Sequence, residues 1–134
     1  MTASRSALVI ASGWMIFCPA LLAHHSFLVE FDQNKPMTVT GVVTKVEWMN
    51  PHSYFYVDVQ DSSGKVVKWS FETASPSALA MRGWNRDTVR VGDKVTVQGY
   101  RTKRESNLAA ARLVSLPDGR QVYSGTMDDG GPNQ

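Results

Sequence analysis

Three histidines, confined to two short stretches, are the residues of this chain best suited to chemistry. His24 and His25 stand side by side in LLAHHSF (21–27), and His52 follows Asn50-Pro51 in EWMNPHS (47–53). Imidazole nitrogens bind first-row transition metals. A chain cut after Ala23 would carry a free α-amine on His24, and that amine and the ring Nδ1 close a six-membered chelate on one ion. His52 would add a third nitrogen. A near-planar all-nitrogen set suits Cu(II), which heads the divalent affinity order, and Zn(II) would take a similar set as a tetrahedron. Successive side chains alternate along an extended segment, so His25 points away from an ion held by His24. Glu30 or Asp32 could add an oxygen. The competing view is that the paired histidines are solvated and His52 is a turn residue bonded to backbone.

The chelate requires a cleaved leader, and residues 1–23 have the pattern of a signal peptide. Arg5 supplies the positive start, residues 7–17 are uncharged and mostly apolar, and Pro19 breaks the run before Leu21-Leu22-Ala23. The run is too short to span a bilayer as a helix. The mature chain would be His24–Gln134, periplasmic or secreted. Cys18, the only cysteine, would leave with the leader, so neither a disulfide nor a thiolate ligand is expected. A net charge of +2 argues against nucleic acid, which demands a concentrated basic surface. No nucleophile elbow, recognisable acid pair or haem-attachment motif is visible, and no enzyme is expected.

The elements that must position these residues are mostly strands. Residues 38–48, 53–59, 66–72, 94–100, 108–116 and 121–123 have strand composition or alternation. The alanines of 108–116 leave that segment ambiguous with helix. Ser75 as cap, Pro76 at the first helical position and Gly83 as a stop predict one short helix over 75–83. Phe55, Val57, Trp69, Phe71, Val95 and Val97 are expected to be buried, with Trp48 and Trp84 covering two opposite openings. Three strands, a helix and two strands fit an all-β, OB-fold-like five-stranded barrel, with an open β-sandwich as the runner-up. The expected organisation is a leader (1–23), a lead-in (24–37), the barrel domain (38–123) and a tail (124–134).

An OB-like barrel presents ligands to the outer face of its second and third strands and to the adjoining loops. That face would carry Tyr54, Tyr56 and Lys68, flanked by Arg101, Lys103 and Arg104 of the loop 101–107. Tyrosines beside cations can take an anionic or aromatic ligand, or a partner protein. Ordinary cross-strand pairs beside a solvated loop explain the same residues.

The segments AHHSF, FDQNKPMTVTGVVTKVEWMNPHSYFYVDV, GKVVKWSFE, SPSALAMRGW, VGDKVTVQGYR and the run ending in VYSG resemble a family of small exported bacterial proteins of unassigned function. The resemblance spans His24 to Gly125. It implies a periplasmic or secreted β-domain and carries no catalytic residues. Met49 stands where smaller polar residues are usual, which counts against it as a ligand. The function expected is a non-catalytic exported binding module, accessory to a redox or metal system. The alternatives are a protein-interaction barrel without a ligand and an enzyme with an unrecognised site.

Overall fold

The computed structural model describes residues 27–125. Its elements are α1 (Phe27–Glu30), β1 (Phe31–Glu47), β2 (Tyr54–Gln60), β3 (Val66–Glu72), α2 (Pro76–Met81), β4 (Lys94–Thr102), β5 (Leu108–Ser115) and β6 (Gln121–Tyr123). The expected leader (1–23), His24, His25 and the expected tail beyond Gly125 lie outside the described residues. Among the described residues no helix is long and apolar enough to cross a membrane.

β1 begins at Phe31, seven residues before the sequence-based start at Thr38, so much of the expected lead-in is strand. Asp32, Gln33, Asn34 and Lys35 are polar, and none of 33–36 is buried, which removes the alternation that marks a strand. Backbone pairing overrides composition here: Phe31 opposes Thr102 and Pro36 opposes Tyr100 on β4. The length of β1 lets one strand serve two partners. Residues up to Val42 pair with β4, and Val42 to Glu47 pair with β2. The changeover is at Gly41, where a Cβ would come within 2.3 Å of the Asp58 carbonyl oxygen. Only glycine lets the backbones approach that closely.

The strands hydrogen-bond in the order β3-β2-β1-β4-β5-β6, and a further pairing of β3 with β5 closes five of them into a ring. The closing pair is parallel and joins Ser70, Phe71 and Glu72 to Leu108, Ala109 and Ala110. All other pairings are antiparallel. β6 extends β5 through a turn in which Gly119 has φ +86°. The fold is all-β with few short helices.

Phe55, Val57, Phe71, Val95 and Val97 fill the interior of the ring, each at most 2 % exposed. Each such side chain contributes roughly 1.5–3 kcal/mol by burial. Trp69 departs from expectation. It is half-buried, stacked on Phe71 at 6.2 Å, with the Arg101 guanidinium 5.3 Å above its ring. The alanines of β5 also find their reason: Ala109 and Ala111 join the interior core, while Ala110 belongs to a second apolar cluster with Phe27 and Phe31. A strand covered on both faces has room only for small side chains where neighbours come close. Gly99 on β4 carries this further, since a Cβ there would lie 1.9 Å from the Ala110 carbonyl oxygen.

α2 starts as its sequence requires. The Ser75 side chain accepts from the Ala78 amide at 3.3 Å, and Pro76 opens the helix. It ends at Met81, and Gly83 takes φ +83° after it. Trp48 and Trp84 do not cover opposite openings. They line the same cavity, together with Leu79 of α2.

Candidate functional site

His52 lies in the connector between β1 and β2, and the Ser53 end of that connector is held. The Ser53 amide donates to the Ala74 carbonyl at 3.2 Å, and the Ser53 carbonyl accepts from the Thr73 amide at 2.9 Å and the Thr73 hydroxyl at 3.0 Å. β2 therefore starts in register against the end of β3. That register sets Tyr54 opposite Glu72.

Glu72 is 7 % exposed. A carboxylate so buried must be paired and hydrogen-bonded to persist. One oxygen, Oε2, accepts from the Tyr54 hydroxyl at 2.8 Å. The other, Oε1, is bonded to Nδ1 of His52. Burial, then the hydrogen bond to Glu72, push the Tyr54 hydroxyl well above the ordinary tyrosine range, and the nearby charge of Glu30 acts in the same direction. Tyr54 therefore stays protonated and donates to the carboxylate. Because Nδ1 of His52 faces a carboxylate, it carries the ring proton. Nε2 is then the nitrogen with the lone pair, available to a metal ion or a proton.

The registers line these residues up with the start of the described chain. Tyr54 opposes Glu72, Glu72 opposes Ala110, Ala110 opposes Tyr100 and Tyr100 opposes Pro36. Phe27 packs in the cluster that contains Ala110, with its ring 5.3 Å from Phe31 and edge-on to Tyr100 at 5.9 Å. α1 is held further by the Lys103 amide, which donates to the Glu30 carbonyl at 2.8 Å, and by Lys103 Nζ, which donates to the Leu28 carbonyl. Phe27 thus packs beside Ala110, the β5 residue that pairs with Glu72. His24 and His25 precede Phe27 by three and two residues, a reach of at most about 7–11 Å.

Tyr54, Tyr56 and Lys68 fall on one side of the β2–β3 alternation, opposite to Phe55, Val57, Trp69 and Phe71, while Arg101 lies on β4 and Lys103 and Arg104 in the loop after it. Tyr56 donates to Glu47 Oε2 at 2.7 Å and lies under the Lys45 ammonium, 5.2 Å from its ring centre. Lys68 opposes Asp58 and is exposed. Arg101 covers Trp69, Lys103 holds α1, and the Arg104 amide donates to the Thr102 hydroxyl at 3.2 Å. The Arg101 guanidinium and the Lys103 ammonium thus serve separate local contacts. Of the two carboxylates considered as extra ligands, Glu30 lies within electrostatic reach of Tyr54, whereas Asp32 accepts from the Asn34 amide at 2.9 Å. Among the described residues no three histidine, cysteine, aspartate or glutamate side chains gather in one place. His52 and Glu72 form a pair.

Glu72 was absent from the sequence-based set. In VVKWSFE it falls on the outward side of the alternation, opposite to Trp69 and Phe71, where an acid is unremarkable. Only the pairing of β2 with β3 and the closure on β5 bury it.

No curated protein matches the chain. The model of one protein family, described as a family of unknown function (DUF6152), matches residues 15–110. The match takes in His24, His25, His52, Tyr54 and Glu72, and since it covers well over half of the sequence, the chain belongs to this family of unknown function.

Proposed function

We propose that the protein is an exported, non-catalytic metal-binding module whose ion, Cu(II) in preference to Zn(II), is held by the amine and ring of His24 and by Nε2 of His52. The observation that carries this reading is the Tyr54–Glu72–His52 relay. Metal-ligating histidines characteristically give their second ring nitrogen to a carboxylate, which fixes the tautomer and makes the ligating nitrogen more basic. A solvated turn histidine has no need of a buried carboxylate. The packing of Phe27 beside Ala110, the β5 partner of Glu72, adds support, because His24 and His25 precede Phe27 by three and two residues. The ring of five strands, with α2 between the third and fourth, supports reading the fold as an OB-like barrel. On that fold the site sits at the connector between the first and second strands, one of the loops such barrels use for recognition. The module would serve a redox or metal system as an accessory.

The test is calorimetric titration of the chain beginning at His24 with Cu(II), beside a form carrying one extra alanine before His24. The extension replaces a free amine by an amide, a far poorer ligand. Binding should weaken at least tenfold, and His52→Ala should weaken it similarly while the domain stays folded. Affinity should fall as pH falls, because protons compete for the amine and both imidazoles. Equal affinity of the native and extended forms overturns the terminal chelate.

A further inference from the structure

The connector that carries His52 contains two buried polar groups with no hydrogen-bond partner in the protein, the indole Nε1–H of Trp48 and the hydroxyl oxygen of Ser53. They belong to the first and last residues of the connector 48–53. Both residues line one small cavity, whose remaining wall includes Val46, Phe55, Leu79 and Trp84. A buried donor left unpaired costs about as much as a lost hydrogen bond, so native proteins rarely leave one without a partner. Trp84 illustrates the rule on the same wall, since its indole N–H donates to the Tyr123 carbonyl at 2.8 Å. No comparable carbonyl serves Trp48. The Ser53 carbonyl is already taken twice by Thr73.

We propose that this cavity is an internal water site, in which one water molecule accepts from Trp48 Nε1 and bonds to the Ser53 hydroxyl. The cavity measures about 10 Å³. That is the space one water needs, and it is too small for an organic ligand. The apolar remainder of the wall gives the water two polar partners, the lower end of what buried waters have. The water bridges the two ends of the connector, and His52 lies between them. The Ser53 backbone and the water together hold the connector closed. On the copper reading of the preceding section, the water is also what keeps His52 Nε2 at a fixed place relative to Glu72.

The occupancy is tested without any metal. A high-resolution crystal structure should place a water within about 3.2 Å of both Trp48 Nε1 and Ser53 Oγ. Nuclear magnetic resonance of the full domain should give a cross-relaxation signal between the Trp48 indole proton and long-lived water. The signal should disappear in Trp48→Phe, which keeps an aromatic wall and removes the donor, and should weaken in Ser53→Ala. A cavity without density together with an indole proton showing no contact to water overturns the site, as does a protein acceptor found on Nε1. The positioning role has its own readout. Ser53→Ala, which removes no proposed ligand atom, should lower Cu(II) affinity by about tenfold. Unchanged affinity in Trp48→Phe, from which the water signal has gone, overturns the positioning role alone. Failure of the alanine-extension experiment overturns the copper reading and leaves the water site standing.

Discussion

Replacing Glu72 by glutamine separates a designed histidine ligand from an incidental one. The carboxylate accepts two hydrogen bonds at once, from the Tyr54 hydroxyl and from His52 Nδ1. A glutamine of the same shape has one oxygen and one NH2 group. If its oxygen stays with Tyr54, the NH2 faces His52 and requires Nδ1 to become an acceptor. The ring proton then moves to Nε2, and the atom proposed to bind the ion loses its lone pair. If the amide turns round, Tyr54 loses its acceptor, at a site where Glu72 is 7 % exposed. Hydrogen bonds to charged groups contribute about 1.5–3 kcal/mol each, and the amide keeps one of the two in neutral form. The net destabilisation should be about 2 kcal/mol. With a urea slope of about 1–3 kcal/mol per molar, the unfolding midpoint should fall by roughly 1 M. Cu(II) affinity should fall about 10–100-fold, the usual effect of removing the partner of a ligating histidine. Urea unfolding followed by tryptophan fluorescence, with calorimetry on the same preparations, measures both. A variant as stable as the native protein that binds copper equally well would refute the relay.

Two further outcomes follow from the same geometry. Phe27→Ala should cost about 3 kcal/mol in urea unfolding, because Phe27 is 5 % exposed between Phe31 and Tyr100, and it should also weaken copper binding by freeing the segment that bears His24; unchanged binding would mean that the anchor over Ala110 plays no part in the site. Tyr54 should be the last tyrosine to ionise in an ultraviolet titration, since burial and then Glu72 raise it; a group raised in the folded state stabilises fully below its unfolded value of about 10, so the stability advantage over Tyr54→Phe should persist to about pH 10 and shrink above it, and an advantage independent of alkaline pH would contradict the assignment.

Local chemistry made much of the fold legible. The turn at 61–65, the helix opened by Ser75 and Pro76, and the strands 54–60, 66–72 and 121–123 depend on near neighbours: a cap, a glycine at positive φ, an alternation of two. The same is true of the inward positions Phe55, Val57, Phe71, Val95 and Val97. The histidine motifs were likewise visible, because metal chemistry depends on residue type before it depends on place. The early start of β1 was hidden, since residues 32–35 are polar and only the flanking pairs Phe31–Thr102 and Pro36–Tyr100 tie this stretch to β4. Trp69 alternates with core residues and yet stops half-buried, because it lies where the ring meets the exposed Arg101. The two tryptophans expected at opposite openings meet at one cavity, a matter of how the connector 48–53 and α2 fold over the same end. Glu72 is the clearest case. Its type suggests solvent, and only the register that sets it against Tyr54 on one side and Ala110 on the other buries it, pairs it with His52 and turns a histidine in a turn into an oriented one. Residue identity determined which chemistry was available. Strand pairing between positions far apart in the chain decided which side chains meet, because hydrogen-bonded register is a property of two segments and is written in neither alone.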